Sequence, residues 1–213
     1  FSRTTGFRHD SIPDGLAMLT ELGSANGFSV VASEDPALFS DSGLAPYRVI
    51  VFLLTTGDIL DASQQDALER YVTAGGGFVG VHSATDTEAD WPWYAELVGA
   101  RFAGHPPGTH EATLHVEDST HPSTAHLPDP WVRTDEWYNF DRNPRGDVNV
   151  LLTIDEASYS GGAMGADHPL SWFHAIGAGR SWYTALGHTR ESYAEPAFRQ
   201  HVLGGVLWAA EEP

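Results

Sequence analysis

Three observations in this 213-residue sequence predict an α/β fold built on a parallel sheet with helices on both faces. Helix and strand signals alternate through the first 82 residues, the pattern of strand-helix-strand units. Two short runs, residues 48–54 and 78–81, are apolar without alternation, as strands buried on both faces are. Between them a helical pattern ends at the triple glycine 75–77. Sheets of this kind place ligands beyond the carboxyl ends of their strands, so the segments after each strand are where chemistry is expected.

The elements follow in order. Residues 1–4 read as the tail of a strand. Asp10 or Ser11 caps a helix with Pro13 in its first turn; Leu16, Leu19 and Leu22 form its apolar face, and Gly27 stops it. Residues 28–32 read as a second strand and 48–54 as a third. Asp61 or Ser63 opens a helix through Leu68, Tyr71 and Val72, which leads to the strand at 78–81. Residues 91–147 are rich in Pro, His, Asp and Trp and read as long loops over the carboxyl edge, with one strand-like stretch at 112–116. Strand signals return at 148–154, 170–174 and 181–186, the last two joined across Gly177-Ala178-Gly179. A final helix runs from about Glu195-Pro196 to Ala210. With no internal repeat and no linker-like stretch, a single domain over residues 1–213 is expected.

Composition narrows the function. The net charge is −18, and all eleven cationic side chains are arginine. Such a surface repels phosphate backbones and anionic lipid, so neither nucleic acid nor a membrane is expected as a partner. Without lysine there is no Schiff-base nitrogen and no phosphate-cradling lysine, and without cysteine there is no thiol nucleophile, thiolate metal site or disulfide. No apolar run approaches the ~18 residues of a membrane span. A soluble protein is expected; because the chain starts at Phe1 without methionine, its compartment, cytoplasmic or secreted, stays open, as does its oligomeric state.

Eleven histidines, seven tryptophans and many acids remain. His82 directly follows the strand at 78–81 and is flanked by small residues, as a tight turn between strand and helix requires. His188 follows the strand at 181–186 across Gly187, and His9 follows the first strand with Asp10 beside it. Each alone is as well explained by a turn histidine bonded to backbone; the shared placement at strand ends is what makes the three candidates for proton transfer. His9, His82, His105, His110 and Glu136 are also the N and O donors that suit zinc or manganese, although no short spacing such as His-Glu-x-x-His accompanies them. Trp91 and Trp93, after the acids Asp86, Glu88 and Asp90, offer either a sugar platform with carboxylates for hydroxyls or the packed start of a helix. In Asp135-Glu136-Trp137-Tyr138, alternation on an extended segment turns Glu136 and Tyr138 one way and Trp137 the other. Trp172, Trp182 and Trp208 are expected in the core.

The runs Thr5-Gly6-Phe7-Arg8-His9, Gly77-Phe78-Val79-Gly80-Val81-His82, Trp91-Pro92-Trp93-Tyr94 with Leu97-Val98-Gly99-Ala100, Asp135-Glu136-Trp137-Tyr138, and Gly179-Arg180 with Leu186-Gly187-His188 together resemble the ThuA-like (trehalose utilization) family. That resemblance covers nearly the whole chain and implies a flavodoxin-like sheet similar to that of the class I glutamine amidotransferases. There a cysteine occupies the strand-helix elbow and pairs with a His-x-Glu after a late strand. Here His82 falls at the elbow, and His188 with Glu191 gives the late pair one extra residue. With no cysteine in the chain, thiol-dependent glutamine hydrolysis is excluded. The resemblance implies a small carbohydrate as partner, and cleavage of a glycoside oxidised at C3 by elimination or hydrolysis. His82, His188 and His9 are then the candidates for base, acid and oxyanion partner. Asp10, Asp86, Trp91, Trp93, Glu136 and Tyr138 are the candidates for sugar contacts. A non-catalytic sugar-binding module and a metal-dependent hydrolase remain the alternatives.

Overall fold

A computed structural model describes residues 1–211. In chain order the elements are α1 (Ile12–Asn26), α2 (Asp41–Leu44), β1 (Val49–Leu53), α3 (Ala62–Thr73), β2 (Gly77–Val81), α4 (Pro92–Val98) and β3 (Phe102–Gly104). They continue with β4 (His110–Val116), β5 (Trp131–Asp135), β6 (Asn139–Phe140), β7 (Asn149–Ile154), β8 (Pro169–Ile176), β9 (Gly179–Thr184) and α5 (Pro196–Ala210). Two of the helix signals are realised closely. Gly27 ends α1 at φ +80°, and Asp61 caps α3 through a capping box with Gln64. Ser11 caps α1 only by position, because its hydroxyl donates instead to the carbonyl of His188 at 2.8 Å.

Seven strands form one sheet in the order β1-β2-β9-β8-β7-β4-β5, and β3 pairs with β6 separately. The architecture is mixed α/β, and the expectation of a parallel sheet throughout is corrected. β1, β2 and β9 run parallel, whereas β9-β8, β8-β7, β7-β4 and β4-β5 are antiparallel. Connection length explains the switch. α3 carries the chain from β1 over to β2, the crossover a parallel pair needs, whereas β8 turns into β9 within Gly177-Ala178, which only a hairpin permits. Helices do cover both faces: Ser181 donates to the carbonyl of Leu97 in α4, while its neighbour Trp182 packs against Gly205 of α5.

Three segments depart from the sequence reading. Residues 28–32 form no strand, because no strand adjoins them; with Phe1, Val49 and Val51 they line an apolar groove of about 680 Å³. Residues 1–4 come closer to expectation: Phe1 exchanges backbone bonds with Val51 and Leu53, and Thr4 bridges Thr56 in parallel. The stretch 91–147 is richer in structure than loops, holding α4 and β3 to β6. β5 escapes a periodicity search because its buried positions are Trp131, Arg133 and Asp135, which do not alternate by hydrophobicity.

The core lies between the sheet and its helices, with Trp172, Trp182, Tyr183, Phe52 and Phe78 fully enclosed; Trp208 is only partly buried. Contact between α5 and β9 is tightest at Gly205, where a Cβ would sit 2.4 Å from the Trp182 ring. Gly205→Ala is therefore expected to lower the urea midpoint, with a loss of about 1–3 kcal/mol from overpacking. Among the described residues no helix is long and apolar enough to cross a membrane.

Candidate functional site

β2 and β9 end side by side, and the chain beyond each turns sharply. His82 begins a short 3-10 turn and takes φ +52°, a left-handed value that a non-glycine residue holds only where its surroundings fix it. The elbow expected from the sequence is thus present in the backbone itself. Its carbonyl accepts from Tyr183 at 2.8 Å, and its Nδ1–H donates to the carbonyl of Ala185 at 2.7 Å. The second bond fixes the tautomer, so in the neutral ring Nε2 carries a lone pair. Tyr138 covers the ring at a centroid distance of 4.2 Å.

His188, four residues past β9, brings Nδ1 to within 3.3 Å of His82 Nε2. Glu136, one residue past β5, places Oε2 3.3 Å from His82 Nε2 and 3.2 Å from His188 Nδ1. His9 completes the group, its ring centroid 5.0 Å from that of His82 and 5.1 Å from that of His188. One donor atom from each of His9, His82, Glu136 and His188 lies within 4.8 Å of the others, so these four could hold a metal ion. All except His188 are buried.

That Glu136 arrives here depends on the curl of the sheet. β5 stands at the far edge from β1, yet its last residue, Asp135, accepts from the backbone N–H of Gly187 at 2.8 Å and of His188 at 3.1 Å. The same carboxylate accepts from Glu136 N at 3.0 Å and pairs with Arg133 at 3.0 Å. Arg133 is held in turn by Glu195 and Ser192. One fully buried carboxylate thus fixes both Glu136 and His188. Sequence reading did not single out Asp135, since the partners that tie it to the site, Gly187 and His188, lie more than fifty positions away.

The charges follow from these contacts. Burial, reinforced by the neighbouring His82 and His188, lowers His9 to about 3, so it is neutral at physiological pH. Burial alone would raise the Glu136 carboxyl, but hydrogen bonds from His188 and His82 hold it well below the usual carboxylate range. For His188 burial is the largest influence and works against the imidazolium, but the bond to Glu136 together with the charges of Glu136, Asp135 and Asp10 outweighs it, so its pKa rises. The centre therefore combines a fixed carboxylate, a histidine that favours its proton and a histidine that refuses one.

The remaining candidates sort by distance. His105 Nδ1 bonds to the Pro106 carbonyl at 2.9 Å and lies 3.1 Å from Glu136 Oε1, on the other side of the carboxylate. His110 lies outside the group at the start of β4, bonded to the carbonyl of Pro107. Asp10 and Asp86 are exposed; Asp10 acts electrostatically on His188, and His82 on Asp86. Trp91 and Trp93 lie tilted against each other with ring centroids 5.1 Å apart, and Trp91 stacks on Tyr94, at the start of α4; both indoles are partly buried. Trp137 is buried on the opposite side, its indole donating to His110, as alternation predicts. Glu88 is structural: its carboxylate accepts from Ile59 N, Leu60 N and Gln65. Glu191 is exposed, and the carboxylate that pairs with His188 is Glu136. An aromatic not singled out, Phe7, is 66% exposed and stands edge-on to His9 at 4.8 Å.

A family model described as ThuA, trehalose utilisation, matches residues 1–209. The chain belongs to the ThuA family. Among solved structures it is similar to a ThuA-like protein from Bacteroides uniformis, with 25% identity and a TM-score of 0.83 over 98% of this chain and 89% of that one. A ThuA-like protein from Parabacteroides merdae is similar at 23% identity and a TM-score of 0.75, over 98% and 88% of the two chains. The fold also recurs within a β-galactosidase from Rahnella sp. R3, at 14% identity and a TM-score of 0.58, where all of this chain matches 29% of that one. No curated protein sequence matches this ThuA chain.

Proposed function

We propose that this ThuA protein cleaves a glycoside oxidised at C3, using the histidine-glutamate centre at the carboxyl edge of the sheet. The observation that carries the reading is the convergence of His9, His82 and His188, from three separate strand ends, on the single carboxylate of Glu136. Membership in a family described by trehalose utilisation supports a disaccharide or related glycoside as substrate.

The chemistry suits these groups. A ketone at C3 acidifies the C2 proton, so a neutral imidazole can remove it, leaving an enolate over C2, C3 and the carbonyl oxygen. The enolate collapses to a C1–C2 double bond as the C1–O bond breaks, and the departing oxygen takes a proton from a general acid. Water added across that double bond yields the free 3-keto sugar, completing a hydrolysis with no redox change. His9, held neutral, fits the base, and the His188-Glu136 pair, which retains a proton, fits the acid. His82, its tautomer fixed by Ala185, faces both.

Incubation with 3-ketotrehalose or another 3-keto-glucoside is expected to release glucose or the aglycone, and His82→Ala to abolish it. Release undiminished in His82→Ala would place the chemistry elsewhere. Binding of 3-keto-glycosides with no release from any of them would leave a sugar-binding module. Phe7→Ala tests the rim: losing a stacking surface worth about 0.5–1.5 kcal/mol should raise KM roughly 2- to 10-fold with kcat little changed. An unchanged KM would remove Phe7 from the sugar site.

A further inference from the structure

We infer that His82, His188, Glu136 and His9 form a binding site for one divalent transition-metal ion, with zinc the best geometric fit. Three donor atoms, His82 Nε2, His188 Nδ1 and Glu136 Oε2, form a triangle with edges of 3.3, 3.3 and 3.2 Å. Tetrahedral zinc with bonds of about 2.05 Å separates its ligands by about 3.3 Å. The spacing of these three donors thus matches that of three ligands on one ion, and a donor atom of His9 within 4.8 Å of them can close in as the fourth.

Proton counting points the same way. His82 spends its one neutral-state proton on Ala185, so Nε2 presents a lone pair to the triangle. Glu136 Oε2 is an acceptor as well. Three electron-rich atoms meet with a single His188 proton to share among them, an arrangement a cation resolves. His9 adds an independent sign: its Nδ1 is buried and has no hydrogen-bond partner, although the residue is only 5% exposed.

The surroundings are those of a metal centre. Metal-binding imidazoles commonly donate their second nitrogen to a carbonyl, as His82 does to Ala185, and His105 Nδ1 lies 3.1 Å from the second oxygen of Glu136. Three imidazoles and one carboxylate suit zinc, with manganese and ferrous iron as weaker competitors. With the ion bound, His9 and His188 would act as ligands in place of the base and acid roles given them above, and the ion would polarise the C3 carbonyl and stabilise the enolate; that role rests on the glycoside reading, whereas binding does not.

The test is calorimetric titration of ZnCl2 and MnCl2 into chelator-treated full chain, with elemental analysis of the reloaded protein. One equivalent of zinc per chain is expected, bound more tightly than manganese. Glu136→Gln and His188→Ala should each weaken zinc at least 100-fold, while His110→Ala leaves it unchanged. Cobalt in place of zinc should give the visible absorption of a tetrahedral centre, lost in Glu136→Gln. Zinc below one-fifth of an equivalent in protein whose circular dichroism matches the untreated chain would overturn the site. Binding unchanged in both Glu136→Gln and His188→Ala would overturn it equally. Zinc bound as described without sugar release would sink the glycoside reading alone, and sugar release unaffected by chelation would remove the ion from catalysis.

Discussion

Asp135→Asn is expected to disable the centre without touching a single atom that meets substrate. The carboxylate, itself at zero exposure, accepts from Gly187 N, His188 N and Glu136 N and neutralises the buried Arg133. An amide of the same shape must point its NH2 at one of those donors, and it leaves Arg133 with Glu195 as its remaining charged partner. Breaking a buried pair of this kind costs about 3–5 kcal/mol, which a denaturant curve will read. A merely structural residue would stop there. As a positioning residue, Asp135 should also lower kcat more than it raises KM, and weaken metal binding about 10- to 100-fold in the fraction that stays folded. Loss of stability with kcat intact per folded molecule would reduce Asp135 to a structural role.

Acid sensitivity is the second large effect, and a group away from the site contributes to it as His9 does within it. His201 of α5 is fully buried, and burial lowers its pKa to about 3, with the bond from Nδ1 to the Ser123 carbonyl acting in the opposite direction. The folded-state pKa lies below the unfolded value of about 6.5, so the unfolded chain takes up the proton first. The contribution of His201 to stability is therefore complete above about pH 6.5 and is lost as the pH falls toward 3, at up to about 1.4 kcal/mol per pH unit. His201→Gln, which keeps an amide for Ser123 and Thr184, should flatten this limb in urea midpoints measured between pH 7 and pH 4. An unchanged slope would show that His201 is not the group that titrates.

The sequence signals that were legible were local ones. His9, His82 and His188 could be picked out because each follows a strand or a strand-like run, and topology alone brings such positions to one edge. Glu136 could be oriented relative to Trp137 by alternation, though its partners could not be named. What escaped was long-range: the curl that carries β5 back to the loop after β9, and with it the part played by Asp135. The mixed sheet was hidden for a related reason, since β7 and β8 carry the same apolar content whether they run parallel or antiparallel, and only their connections decide. Residues 28–32 show the converse: a run of β-favouring residues makes no strand without a neighbour to pair with. Trp91 and Trp93 were ambiguous because one pair of indoles serves equally well to pack a helix start or to stack on a sugar.

The curl has a consequence in time as well as in space. Ser11 bonds to His188 across 177 positions of chain, and Asp135 to Gly187 across 52. Contacts of that span close late, after hairpins such as β8-β9 and helices such as α1 have formed locally. In refolding, the far-ultraviolet signal should recover before the proposed zinc binding and glycoside cleavage do. A chain caught midway would be structured yet inert, and the centre would act as a clock that strikes only when both ends of the molecule have found each other.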